Sequence, residues 1–368
     1  MERTTALAFR MTSLLLRDNS RSSVAEIVEW FGAMQAQDVN SGLWSLGCRL
    51  PGATLAEVNA ALEDRSVLRT WPMRGTVHFV PAADAHWMLD LTGVRALGGA
   101  AKRRDTLGLD EKTADRAVEI LGGALAGGGR LTRSECLAAM VEGGVEVTGQ
   151  RGYHLLWYAS QRGVTAIAPH VGKEQTFVLL DEWVPQPLRP SREEALGLLA
   201  LRYFRSHGPA ARKDFAGWTG LPMSDCRIGI AAAGDQLTTV DVAGTEMFAA
   251  TQILDGPAMA GPGDASATDQ WLALPGFDEY LLGYKDRSLM ASPDDLAAII
   301  PGGNGIFRST LVRAGRVRAT WTRTLTRKGV TVTVQPLTAF TERDRAAAGK
   351  ALESYAAYQE LPLTVKNP

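Results

Sequence analysis

Little in this chain of 368 residues suits it to cross-linking or metal capture. Its three cysteines, Cys48, Cys136 and Cys226, lie far apart and in no CxxC or Cys/His spacing, which excludes a disulfide framework and argues against structural zinc. Three small buried residues in a reducing compartment are the expectation. No run approaches the roughly 18 apolar residues of a membrane span. The opening MERTTALAFRMTSLLLRDNS is interrupted by Arg10 and Arg17, unlike the continuous apolar core of a signal peptide. These absences point to a cytoplasmic protein without membrane contact. Net charge is also lacking: Lys+Arg 39 balance Asp+Glu 40, so any polyanion must be met by locally segregated charge. HExxH and GxSxG do not occur, the glycines of GGALAGGG and PGGNG lack phosphate-loop spacing, and the five histidines form no ligand pair at helical spacing. Neither metal nor cofactor is expected.

What is present repeats in architecture rather than in letters. The length suggests two or three domains. Three segments each read as helices, a short turn, more helices and then two strands. In the first, TTALAFRMTSLLL, SSVAEIVEWFGAM with Ser22 or Ser23 as cap, SGLWSLGCRL and TLAEVNAALED read as helices, and VLRTWPMRGTVHFVP as two strands around Pro72 to Gly75. DEKTADRAVEILGGALAGG, LTRSECLAAMVEGG and GQRGYHLLWYASQRG lead to VTAIAP and QTFVLLDEW in the second. SREEALGLLALRYFRSHGP, DFAGWTG and LPMSDCRIGIAAAG lead to QLTTVDVAG and TEMFAAT in the third. This is the winged-helix pattern, three times over. The predicted fold is α+β, mostly helical: modules over 1–105, 106–190 and 191–268, then a β-rich, barrel-like antiparallel region over 269–368 that closes on the helix RDRAAAGKALESYAAYQ.

Charge is segregated in one place above all. From Ile299 to Thr341 there is no acid, yet Arg308, Arg313, Arg316, Arg318, Arg323, Arg327 and Lys328 are present. Residues two apart on a strand share a face, so Arg316 and Arg318, with Gly315 at a hairpin tip, could follow a phosphate backbone or simply form a solvated face. Arg65 to Ala83 is a second acid-free window, carrying Arg65, Arg69, Arg74 and His78, with Thr76 and His78 on one face of a strand. Lys102, Arg103 and Arg104 form a third cluster. Nucleic acid is the partner class these clusters favour. GFDEYLLGYKDRS gathers Asp278, Glu279, Lys285, Asp286 and Arg287 with Tyr280 and Tyr284, and fits an active-site wall or a salt-bridged domain junction equally. His154, among apolar neighbours, reads as a core histidine, and His207, before Gly208 and Pro209, as a helix end.

The stretch MQAQDVNSG is a fault in a regular pattern. Val24, Ile27, Val28 and Phe31 mark an apolar helix stripe on which Gln35 falls next, and a buried amide without partners costs on the order of a few kcal/mol. In a continuing helix Gln37 would point away from Gln35, whereas in an extended turn both would face one way. Asp38, Asn40, Ser41 and Gly42 are turn and cap formers, so a break near Gln35 with both amides on one cavity is the expectation, against the alternative of plain loop capping.

Taken together, QAQ, TWPMRGTVHFV, LPGFDEYLLGYKDRS and GRVRATW resemble the winged-helix DNA glycosylases of the AlkZ/YcaQ type, across nearly the whole chain. The resemblance implies three tandem winged helices in a C-shaped arrangement around DNA. It also implies a catalytic signature of Gln or His, one apolar residue, then Gln or Asp, matched by Gln35–Ala36–Gln37 in the form of the branch that unhooks interstrand crosslinks. On that footing Gln35 and Gln37 are the expected catalytic residues. Arg308, Arg313, Arg316, Arg318, Arg74 and Lys285 are the expected DNA contacts, with the Arg316/Arg318 hairpin probing the groove. A glutamine has no useful pKa near neutrality, but its carbonyl can hold a water and its dipole can stabilise a cationic sugar, which suffices only for a good leaving group. The expected substrate is double-stranded DNA carrying cationic N7-alkylguanine or crosslinks, hydrolysed by a monomer at the bacterial nucleoid in repair or antibiotic self-resistance. Two other readings compete. One is a non-enzymatic winged-helix transcriptional regulator, although the three candidate recognition helices are poor in base-reading side chains. The other is a small-molecule enzyme built on the FDEYLLGYKDR carboxylates.

Overall fold

The computed structural model describes residues 1–17, 19–255 and 270–366; the expected junction between 268 and 269 lies outside the described residues. The fold is mixed α+β. Four helices open it: α1 (Arg3–Ser13), α2 (Val24–Phe31), α3 (Val39–Gly47) and α4 (Leu55–Ala61). Their starts follow capping chemistry. Ser23 accepts the Glu26 N–H, Asp38 accepts the Ser41 N–H, and Thr54 with Glu57 forms a reciprocal capping box. A two-residue strand β1 (Met34–Gln35) separates α2 from α3, and the hairpin β2 (Val67–Met73) with β3 (Thr76–Pro81) follows α4. The hairpin turns at Arg74–Gly75 rather than at Pro72, with φ of 54° and 70°. Positive φ at both central residues matches the right-handed twist of the flanking strands.

The two expected wings do not stand apart. β2 and β3 share one six-stranded sheet with β4 (Arg130–Thr132), β5 (Thr165–Val171) and β6 (Glu174–Leu179), in the order β1-β3-β2-β5-β6-β4. Arg69 opposite Ile167 is the junction. Every residue of β2 is buried, so it behaves as an interior strand and not as the half-solvated edge of a wing. The third hairpin, β7 (Leu237–Val242) and β8 (Thr245–Ala250), does form a separate two-stranded sheet beyond the helices Arg192–His207, Arg212–Thr219 and Met223–Ala233.

A five-stranded sheet closes the fold: β9 (Trp271–Leu274), β10 (Ser309–Arg313), β11 (Arg316–Thr326), β12 (Gly329–Pro336) and β13 (Leu363–Lys366). The expected antiparallel pattern holds except that β12 pairs with β13 in parallel, because the helix Glu342–Tyr358 carries the chain back along the sheet between them. Cys136 and Cys226 are buried and Cys48 half-buried, with burial pushing the Cys48 thiol up to about 12.

This last region is clamped to the first helices through buried charge. Arg49, fully buried, makes two hydrogen bonds of 2.9 Å to the Asp278 carboxylate, one to each oxygen, and donates to the Leu14 and Ser45 carbonyls; Ser45 Oγ also donates to Asp278. Burial alone would raise the Asp278 pKa, but the charge and hydrogen bonds of Arg49 hold it below the ordinary carboxylate range. Removing one partner of such a pair strands an uncompensated charge. Asp278→Ala is therefore expected to lower stability by about 3–5 kcal/mol in chemical denaturation. The double variant Arg49→Met with Asp278→Leu should recover most of that loss.

Candidate active site

The amide pair sits on a strand edge, not on a helix stripe. α2 ends at Phe31, because Gly32 turns the backbone to φ 76° and lies so close to Arg202 that a Cβ would sit 2.9 Å from its Cδ. The helix thus stops four residues before Gln35, earlier than the pattern suggested. Met34 then faces Phe79, and Gln35 faces His78, across the ladder to β3. The Ala36 N–H donates to the Val77 carbonyl at 2.8 Å, and Gln37 Oε1 accepts the Val77 N–H at 3.1 Å.

The two amides differ in circumstance. Gln35 is half-buried and its Oε1 is enclosed with no hydrogen-bond partner. Gln37 is exposed, and it helps to wall a cavity of about 430 Å³ together with Arg69, Trp71, Arg133, Tyr153 and Lys173. Gln35 is not among the residues lining that cavity, so the structure places the amides in separate surroundings instead of on one shared cavity.

Glu279 fixes the position of Gln35. The outward N–H of an edge strand has no ladder partner, and here the Gln35 N–H donates to Glu279 Oε1 at 3.0 Å. Glu279 Oε2 accepts from Trp218 Nε1 at 3.0 Å and lies 3.2 Å from His207 Nε2. Burial would raise this carboxyl, but the hydrogen bond and charge of His207, then the Gln35 N–H, hold it below its usual range. Tyr203 stacks on the His207 ring at 4.6 Å, and Tyr284 Oη donates to the His207 carbonyl. Gly283 permits this closeness, since a Cβ there would lie 2.2 Å from His207 Cδ2. His207 does end its helix, but it is also part of a buried hydrogen-bond network around Glu279 that the sequence reading missed. The only available signal was an acid embedded in an aromatic run. Asp278 and Glu279, 4% and 1% exposed and fully engaged, are junction groups rather than the wall of an open pocket.

The expected DNA contacts divide into two sets. Arg74, at the β2–β3 turn, is exposed and directs Nη1 to the Gly217 carbonyl at 3.5 Å; Lys285, also exposed, lies against the same glycine. Of these two, Arg74 is close enough to the Gln35 region for its charge to act on His78. Arg313, Arg316 and Arg318 lie elsewhere, on the five-stranded sheet, and Arg308 immediately precedes its strand β10. Arg308 is exposed, whereas Arg313 pairs with Asp344 at 2.8 Å, Arg316 donates to the Leu289 carbonyl and Arg318 is half-buried. The Gly315 tip is docked rather than free. A Cβ on Gly315 would meet Leu7 at 2.7 Å, and Tyr280 Oη donates to its carbonyl. The Gly315 tip is thus held against α1 while Arg316 beside it stays exposed, and the opposite turn leaves Arg327 and Lys328 exposed.

His78 is fully buried beside the site, with Nδ1 2.8 Å from the Thr76 carbonyl. Burial pushes its pKa from 6.5 down to about 4, helped by Arg74 and opposed by Glu279. Below pH 6.5 the unfolded chain accepts a proton that the folded chain refuses, so stability falls as pH drops through this window to about 4. About 3 kcal/mol should be lost there in denaturation measured against pH. His78→Gln should flatten that limb, leaving the further loss below it that comes from the lowered carboxyls of Asp278 and Glu279.

Among the described residues no group of three or more His, Cys, Asp or Glu could hold a metal ion, and no helix is long and apolar enough to cross a membrane. The chain is 28% identical over 331 residues to an interstrand DNA cross-link repair glycosylase of Streptomyces sahachiroi, covering 85% of this chain and 86% of that protein. Its fold matches the solved structure of the Streptomyces sahachiroi DNA glycosylase AlkZ with a TM-score of 0.80 over the full length of both chains, at 24% identity. The model of the AlkZ-like DNA glycosylases matches residues 28–358, which include the glutamine pair, the Glu279 network and the whole six-stranded sheet, and the chain belongs to that family of DNA-acting enzymes.

Proposed function

We propose that this DNA glycosylase is a monofunctional hydrolase of cationic N7-alkylpurine nucleotides, including those tethered in interstrand crosslinks. The observation that carries the reading is the enclosed Gln35 Oε1, a neutral acceptor without a partner on an edge strand pinned by a buried carboxylate. Such an oxygen can hold a water, and its dipole favours positive charge developing on the sugar. No acid is needed when the base carries a positive charge, because breaking the C1′–N9 bond neutralises it. The nearest carboxylate, Glu279, is fully occupied by Gln35, His207 and Trp218 and is poorly placed to act as a base. The site chemistry therefore favours alkylated guanine over neutral lesions such as uracil. A crosslinked base cannot swing freely out of the duplex, and this mechanism asks for no deep flipping pocket.

In this reading residues 1–105, 106–190 and 191–268 are winged-helix modules curving around the duplex, with 269–368 as the β-rich element. Repair of crosslinks by a relative supports, at one remove, the same task for this chain in a bacterial cell. A sequence-reading regulator is disfavoured because α3 is buried from Ser41 to Gly47 and the helix Arg151–Gln161 from His154 onward, leaving few side chains to enter a groove. Arg74 and Lys285 are the better-placed phosphate contacts, since both are exposed at Gly217, next to the Trp218 that holds Glu279.

Duplex DNA containing N7-methylguanine, treated with enzyme and then with hot alkali, should break at the lesion, and a uracil duplex should not. Gln35→Ala and Gln37→Ala should each slow cleavage by about 10²-fold. Full cleavage by both variants would remove the glutamines from the chemistry, and an inactive wild type on every alkylated duplex would defeat the hydrolase reading. Separately, Arg74→Ala and Lys285→Ala should each flatten the plot of log affinity against log salt by about 0.9, measured by fluorescence anisotropy on undamaged duplex.

A further inference from the structure

One row of side chains crosses the sheet under the site. Gln35 on β1 faces His78 on β3, and His78 in turn faces Thr70 on β2. Residues directly opposite in antiparallel strands project from the same face with Cβ atoms about 5 Å apart. Each of the three carries a buried polar atom with no protein partner: Gln35 Oε1, His78 Nε2 and Thr70 Oγ1. Isolated orphans occur in most folds, but three in register are a built polar seam, and leaving it dry is costly. Such a seam calls for a hydrogen-bond donor that the protein itself does not supply.

The histidine's protonation state follows from its geometry. Nδ1 lies 2.8 Å from the Thr76 carbonyl, which can only accept, so Nδ1 carries the proton and Nε2 presents a lone pair. The groups facing the ring are Arg74 from the hairpin turn and Glu279 from the opposite segment. A ring that is 0% exposed and pushed down to about 4 stays neutral at physiological pH. Gln35 Oε1 and His78 Nε2 are thus two acceptors on one face, which is the complement of the two hydrogens of a single water.

We propose that His78 is the second anchor of the hydrolytic water, which donates one hydrogen to Gln35 Oε1 and the other to His78 Nε2, leaving an oxygen lone pair for C1′. The assignment deepens the glycosylase reading and rests on it. As the C1′–N9 bond breaks, its electron pair neutralises the cationic base, the water oxygen bonds to C1′, and the surplus proton passes to Nε2. A weak base suffices, because water attacking a cationic sugar becomes strongly acidic only once the new bond has formed. The imidazolium then formed is stabilised by the Glu279 carboxylate, which is held ready by His207 and Trp218. Glu279 is in this sense a positioning residue: it fixes β1 through the Gln35 N–H and answers the transient charge on His78.

Two substitutions separate this role from a structural one. His78→Gln keeps an acceptor near the Nε2 position and gives up the Nδ1 bond, whereas His78→Asn keeps the group near Nδ1 and gives up the Nε2 acceptor. The rates to compare are single-turnover rates on N7-methylguanine duplex at saturating enzyme, with thermal unfolding and duplex affinity measured alongside. His78→Asn is expected to lose at least about tenfold in rate with affinity unchanged, and His78→Gln to lose measurably less, because it keeps an acceptor for the water and gives up only the proton-accepting base. If His78→Asn cleaves as fast as wild type, or outpaces His78→Gln, the Nε2 assignment is wrong while the glycosylase reading stands. If wild type itself cleaves no alkylated duplex, both fall together.

Discussion

Glu279 is the constraint on which the site depends. A carboxylate taken out of water is tolerable only if its lone pairs are answered, and here one oxygen holds the N–H of an edge strand while the other faces an indole and an imidazole. Those three partners come from distant parts of the chain: the break after α2, the helix Arg192–His207 and the helix Arg212–Thr219. A single charge therefore sets the distance between the first helices, the third helical group and the segment that opens the C-terminal region. Its neighbour Asp278 repeats the device with Arg49 and Ser45. Two adjacent acids, one turned toward each body, fasten the C-terminal region to the rest.

This arrangement suits the chemistry assigned to the site. Fixed dipoles act on a developing charge only if they do not reorganise as it forms. The glutamine carbonyl is carried by two residues of strand that would fray if their outward N–H were left to water. Anchoring that N–H on a buried carboxylate gives the strand the rigidity that its length denies it, and spends the carboxylate's own basicity in doing so. The site is left with neutral acceptors at the front and a paired charge behind.

Much of this was legible in the sequence, unevenly and for physical reasons. Helix starts were readable because Ser23, Asp38 and Thr54 act on their own neighbours. The hairpins were readable because alternation and turn glycines are local, although the turn proved to lie at Arg74–Gly75 beside a strand that contains Pro72. The glutamines stood out as an interruption, but Gly32 and not the polar run ends α2, at a place where Arg202, some 170 residues away in the chain, leaves no room for a Cβ. The GFDEYLLGYKDRS motif was noticed without its partners, since Arg49, His207 and Trp218 reach it only through tertiary packing. The packing of the arginine hairpin was hidden for the same reason: nothing near Gly315 in sequence announces that Leu7 and Tyr280 hold its tip.

The narrow join between the first two hairpins has a mechanical meaning. β2 and β5 are registered at one residue pair, Arg69 with Ile167, so the six-stranded sheet is two stiff hairpins meeting along a short seam. Twist across so short a ladder is opposed by little hydrogen bonding, and the side chain at the seam, Arg69, is also a wall of the cavity that Gln37 shares with Arg133 and Lys173. The cavity therefore spans the join, with Gln37 and Arg69 contributed from the side of the first hairpin and Lys173 from the turn of the second.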